Sequence, residues 1–217
     1  MRKTLTDDSK FRKFIAYFWI VLIGLVLFLP NYLSIPYLNL NKSCPLYPFC
    51  SSISTPWGAF TSLFVFDGWT NLYAFILWFM FLLLITVSMS ADLVEKYTKF
   101  IVMALFPLSI FSNAVGWVIL AVQGLATPYA GASTFTYVFL GLLFGLSTPV
   151  LIQNFRKMGL KNLVTNPVFL INLVFVITAV YYIASTLLTS FSIPHTDYVH
   201  EVSFLIGVVS IIAYVRN

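Results

Sequence analysis

Two side chains in this sequence have the chemistry of a hydrolytic pair, Ser133 and His200. A hydroxyl is a weak nucleophile until a neighbouring base takes its proton, and a neutral imidazole is the usual base near pH 7. Ser133 lies in the stretch 131–145, GASTFTYVFLGLLFG, and is followed at four-residue steps by Tyr137, Gly141 and Gly145. Residues four apart share a helix face. One stripe of this helix therefore carries a hydroxyl, an aromatic ring and two positions without a side chain. Gly-xxx-Gly lets another backbone come very close inside a membrane, although a serine there also serves as plain packing. His200 is followed at steps of three and four by Ser203, Gly207 and Ser210, a second small-residue stripe suited to packing on the first.

For the pair to meet, both residues must sit at one depth of one bundle. The chain has 217 residues, 60% hydrophobic and only 9% charged, with mean hydropathy +0.93. A soluble domain carries about a quarter charged residues, so this is the composition of an all-α, multi-pass membrane protein. A span needs about 20 apolar residues. Six runs qualify or nearly do: 14–32, 72–89, 100–122, 133–152, 168–191 and 202–215. The connections are short, which predicts a single six-transmembrane-helix bundle over 14–217 behind a basic tail at 1–13. No small-residue cleavage site follows the first run, which is expected to remain as a helix.

The last run has only fourteen residues, and about twenty counted back from Asn217 reach Tyr198. His200 and Glu201 then lie inside the helix near its outer end, where ionisable residues point to function. Ser133 stands near the outer end of the fourth run, at matching depth. The other histidine, His195, follows Pro194 in a turn and reads as a surface residue. Glu201 projects about 100° away from His200. It reads, with Asp197, as part of an interfacial cluster, though Asp197 reaches the imidazole if the helix already includes it.

Lys and Arg set the orientation. Residues Arg2, Lys3, Lys10, Arg12, Lys13, Lys96, Lys99, Arg156, Lys157, Lys161 and Arg216 fall on one side of six spans, leaving Lys42 on the other. Both termini are predicted to be cytoplasmic, in an integral cell-membrane protein. The net charge of +5 is then a topology signal, with no nucleic-acid patch and no soluble partner evident. The long outer connection 33–71 is rich in aromatics, including Trp57, Phe60 and Trp69. It reads as a membrane-associated loop, either half-sunk in the outer leaflet or packed on the bundle. Cys44 and Cys50 flank five residues within it, compatible with a small disulfide ring or with free thiols. No His or acidic residue stands near them, so no metal site is expected, and no cofactor either. Residues 91–99 read as a solvated cytoplasmic turn, and Pro107 and Asn113 fall within the third run. A transporter or channel would place charges near the midplane, and the first five runs contain none.

The stretch GASTFTYVFLG resembles the motif of the rhomboid intramembrane serine proteases, Gly-x-Ser-Gly followed by a spaced Tyr and Gly, through Gly131, Ser133, Tyr137 and Gly141. VHEVSFLIG resembles that family's His-x-x-Gly-x-x-x-Gly pattern through His200 and Gly207. PWGAFTSLFVFDGWTNL resembles its Trp-x-x-x-Thr stretch before the second span through Trp57 and Thr61. The resemblance implies a six-helix rhomboid-like bundle that cleaves transmembrane protein substrates within the bilayer. Ser133 would be the nucleophile and His200 the general base, without an acidic third member. Tyr137 would hold the imidazole ring, and Asn71 and the backbone near Gly131 would support the oxyanion. Three positions depart from the pattern: Thr134 and Ser203 stand where it has glycines, and Phe75 where it has an oxyanion donor. A β-branched Thr134 is expected to wedge the fourth and sixth spans apart. The alternative is therefore a rhomboid-like pseudoprotease that binds transmembrane helices without cutting them.

Overall fold

The computed structural model describes residues 56–64, 91–124, 132–157, 165–190 and 197–216. The basic tail 1–13, the runs 14–32 and 72–89, Cys44, Cys50, Asn71, Phe75, Gly131 and His195 lie outside the described residues. The described chain is all-helical. A single turn, α1 (Gly58–Thr61), continues into a 3-10 turn (Ser62–Phe64). Four long helices follow: α2 (Ala91–Gln123), α3 (Ala132–Lys157), α4 (Pro167–Ser190) and α5 (Asp197–Arg216). Three of these are long and apolar enough to cross a membrane, over Lys99–Ile119, Phe169–Leu188 and Tyr198–Val215, as expected of a membrane protein.

Helix α3 has a different role. Its apolar stretch, Ser133–Pro149, is shorter than a crossing span, because Gln153, Asn154, Arg156 and Lys157 make its last turns polar. Phe135, Tyr137, Val138, Phe139, Leu140, Leu142 and Leu143 are all buried, so α3 turns an apolar surface inward on every side. A helix of that kind belongs at the centre of a bundle. It packs against α2, α4 and α5, most extensively against α5. The outer helices show lipid-compatible side chains instead: Met103 and Phe111 on α2, Val174, Ile177 and Leu188 on α4, Leu205 and Val209 on α5. An exposed hydroxyl on these helices can be satisfied locally, as when Thr178 donates to the Val174 carbonyl at 2.8 Å. That lets a polar residue face lipid without an unmet hydrogen bond.

The helix directions follow from contacts. Gly207 faces Val138 and Leu142, Gly141 faces Phe204 and Val208, and Gly145 faces Val208 and Ile211. The numbers rise together, so α3 and α5 are parallel. Ser112 on α2 meets Ser203 on α5, while Phe100 stacks on Tyr214 with centroids 4.0 Å apart, so α2 runs antiparallel to α5. Asn166 caps α4, accepting from the Phe169 N–H at 3.2 Å, with Pro167 at the first helical position.

One boundary differs from the sequence reading. Residues 91–99 are helical and begin α2. No Gly or Pro interrupts them, and Lys96 finds a partner there, its ammonium 5.2 Å from the Tyr214 ring centroid.

At Gly141 an added methyl would overlap the Phe204 carbonyl oxygen, and at Gly207 the Val138 carbonyl oxygen, both rigid backbone atoms. At Gly145 the nearest atom is instead a side-chain methyl of Ile211. Alanine is favoured over glycine in an open helix by about 1 kcal/mol, whereas overpacking costs about 1–3 kcal/mol. Gly141→Ala and Gly207→Ala are therefore expected to lower Tm in detergent, and Gly145→Ala to lower it less. Equal Tm values for all three variants and the parent would refute this packing.

Candidate active site

Ser133 is the second residue of α3 and His200 the fourth of α5. With the two helices parallel and in register at their glycines, both side chains emerge at the same end of the bundle. The hydroxyl of Ser133 lies 2.7 Å from His200 Nε2, a full hydrogen bond. Ser133 is buried and His200 half-buried.

Tyr137, one turn after Ser133, lies flat against the imidazole, with ring centroids 4.3 Å apart and planes 9° from parallel. Its other neighbour is Tyr182 of α4, at 5.4 Å and 38°. The histidine ring is thus backed by an aromatic wall contributed by two helices. Such a wall fixes the plane of the ring, and each aromatic pair contributes about 0.5–1.5 kcal/mol beyond its burial. Tyr182 was not singled out from the sequence. A signal was present, since a tyrosine in the middle of an apolar span needs a reason for its hydroxyl.

The two hydroxyls that replace glycines are both accommodated on α2. Thr134 donates to Asn113 Oδ1 at 2.9 Å. Its side chain is directed to α2, and the wedge between α3 and α5 expected from the sequence does not form. Ser203 donates to the Val199 carbonyl. Since a hydroxyl has one proton, Ser112 must be the donor in the 2.6 Å Ser112–Ser203 hydrogen bond. Asn113, which the sequence placed only within the third run, continues the chain by donating from Nδ2 to Ser62 Oγ at 2.7 Å.

Of the remaining predicted site residues, Asn71 and Gly131 lie outside the described residues. Glu201 follows His200 and points about 100° round the helix, and Asp197 is the first residue of α5. Trp57 and Thr61 lie in and beside α1, where the Thr61 hydroxyl donates to the Trp57 carbonyl at 3.3 Å. For these residues the connection 33–71 is packed on the bundle. Ser62 and Leu63 are buried, Trp57 and Phe60 stay exposed, and Phe60 meets Phe106 edge-on at 5.7 Å.

The first helical N–H groups have no carbonyl four residues earlier within their helix. The Ser133 backbone N–H is one of these, at the positive end of α3. A hydroxyl held by an imidazole, beside an N–H donor, is the equipment for acyl transfer. No family model, curated protein or solved structure matches the chain.

If stacking by Tyr137 supports the site, ring and hydroxyl should separate on mutation. Tyr137→Phe keeps the stacked ring but removes the hydroxyl that hydrogen-bonds with the Tyr182 side chain, and should cost about 1 kcal/mol, the net worth of a hydrogen bond. Tyr137→Ala should cost about 3–5 kcal/mol through the cavity it leaves. Thermal unfolding of the two variants checks the difference.

Proposed function

We propose that this chain is a rhomboid-type intramembrane serine protease, with Ser133 as nucleophile and His200 as general base. The observation that carries the reading is the 2.7 Å Ser133–His200 hydrogen bond beneath the stacked Tyr137. The rhomboid-like motifs around Trp57, Ser133 and His200 support it. On this reading the full chain is a six-span bundle with both termini in the cytoplasm. Its site opens toward the outer leaflet, and its substrates are transmembrane helices of other proteins.

The chemistry follows from the geometry. Ser133 Oγ attacks the substrate's peptide carbonyl carbon while its proton passes to His200 Nε2. The resulting oxyanion is met by the Ser133 backbone N–H, and the rhomboid resemblance assigns its second donor to the Asn71 amide. Imidazolium Nε2–H then gives its proton to the leaving amine, and the acyl group stays on Ser133. Water attacks the ester with the same imidazole as base, which releases the acid and restores the hydroxyl. Tyr137 keeps the ring plane aligned through both halves. One oxyanion donor contributes about 2.7–4 kcal/mol, so Phe75 in place of a donor slows the reaction without abolishing it.

The non-cleaving reading drew on Thr134 as a wedge, on Ser203 in place of a glycine and on Phe75 in place of a donor. Thr134 and Ser203 are both tied to α2, and the dyad is closed. Its remaining support is Phe75.

A fluorophosphonate probe on the purified chain is expected to label Ser133. Ser133→Ala should abolish labelling, and His200→Ala should slow it by about 10²–10⁴-fold. An intact protein that stays unlabelled, under conditions that label an active serine hydrolase, would overturn the reading.

A further inference from the structure

Asn113 is used at both ends of its side chain. Nδ2 donates to Ser62 Oγ at 2.7 Å and Oδ1 accepts from Thr134 Oγ1 at 2.9 Å. Ser62, Asn113 and Thr134 are each 0% exposed, yet they come from the 3-10 turn, α2 and α3. The last of them is the residue next to Ser133. Seven residues before Asn113, two turns along α2, Phe106 receives the edge of Phe60. The segment 56–64 is therefore fastened to one stripe of α2 at two points.

A helix of one turn has no stability of its own. Within the segment the Phe60 and Thr61 N–H groups bond back to the Trp57 carbonyl. What places the segment is the bundle: Leu63 is buried in it, Phe60 leans on Phe106, and Ser62 is held by Asn113. The Asn113 hydrogen bond continues to the nucleophile's neighbour.

We propose that Asn113 is a positioning residue that couples the outer segment 56–64 to the backbone beside Ser133. Moving the segment moves Ser62, and Asn113 follows or loses its donor bond. Thr134 Oγ1 is held by the other end of the same rigid amide plane, so the first turn of α3 and the direction of Ser133 Oγ are set through it. The 3-10 turn also packs on α3 directly, and the Asn113 amide adds a directional link from Ser62 to the residue beside Ser133. The coupling rests on the reading of Ser133 as a nucleophile; the tether itself does not.

The test uses the full chain in nanodiscs, with two readouts: backbone hydrogen exchange over 56–64, and the rate of fluorophosphonate labelling at Ser133. Asn113→Ala is expected to raise exchange in the segment about tenfold. It should also slow labelling about ten- to hundredfold, the scale of a misplacement near 1 Å. Thr134→Val keeps the shape and removes the hydroxyl, and should slow labelling alike, whereas Thr134→Ser should restore most of the lost rate. Unchanged exchange in Asn113→Ala overturns the tether, whatever labelling does. Raised exchange with unchanged labelling, or Thr134→Val labelled as fast as Thr134→Ser, overturns the coupling. An unlabelled parent chain overturns the protease reading and the positioning role with it, while exchange alone still decides the tether.

Discussion

The backbones of α3 and α5 come together at Gly141 and Gly207, and the geometry of the site depends on that approach. Helices in a bilayer are not driven together by water, so their association rests on close packing and on polar contacts between them. Where two glycines remove the side chains, the backbones themselves make the contact. Parallel, rigid helices then carry the register outward. Ser133 lies eight residues before Gly141 (141 − 133) and His200 seven before Gly207 (207 − 200). At about 1.5 Å per residue these are about 12 and 10.5 Å. Nearly equal offsets from one contact point bring the hydroxyl and the imidazole to the same level. The short Ser133–His200 distance is a consequence of the glycine contact eight residues deeper.

A second constraint governs how the imidazole is oriented. In water-exposed sites a carboxylate commonly serves, but a buried carboxylate inside a membrane is expensive. Here Tyr137 lies against the ring with planes 9° apart and is backed in turn by Tyr182. Stacking fixes the ring plane without introducing a charge. It also uses a residue one turn from the nucleophile, so the strand of contacts that holds Ser133 holds the wall of the base as well.

Much of this was legible in the sequence because it follows from helical periodicity. The step of four from Ser133 to Tyr137 to Gly141 put the hydroxyl, the ring and the packing face on one stripe, and the family resemblance supplied the role of the ring beside the imidazole. The shortness of 202–215 forced the last helix back past His200, and α5 does begin at Asp197. What was not legible depends on partners far away in the chain. Thr134 looked like a wedge because its neighbour on the next helix was unknown; Asn113, 21 residues earlier, absorbs its hydroxyl. Tyr182 joins the aromatic wall from α4, 45 residues after Tyr137 (182 − 137), and no periodic pattern connects them. The helical start of α2 over 91–99 was obscured by its charges. Local composition describes a solvated face equally well whether it is a turn or a helix.

The two departures from glycine are best understood together. Thr134 on α3 and Ser203 on α5 bond to consecutive residues of α2, Asn113 and Ser112. Consecutive residues on a helix point about 100° apart, so one turn of α2 addresses both helices at once and must lie in the groove between them. A glycine at either position would give α2 no hydroxyl to bind. The hydroxyls supply a third, directional contact. Each is buried and hydrogen-bonded, so displacing α2 would strand polar groups where no water can reach them, at about 1–3 kcal/mol apiece. The register of α3 and α5 is therefore set from two sides, by backbone contact at the glycines and by hydrogen bonds to α2 nearer the site. On this view the side chains at 134 and 203 help to keep the Ser133–His200 pair closed.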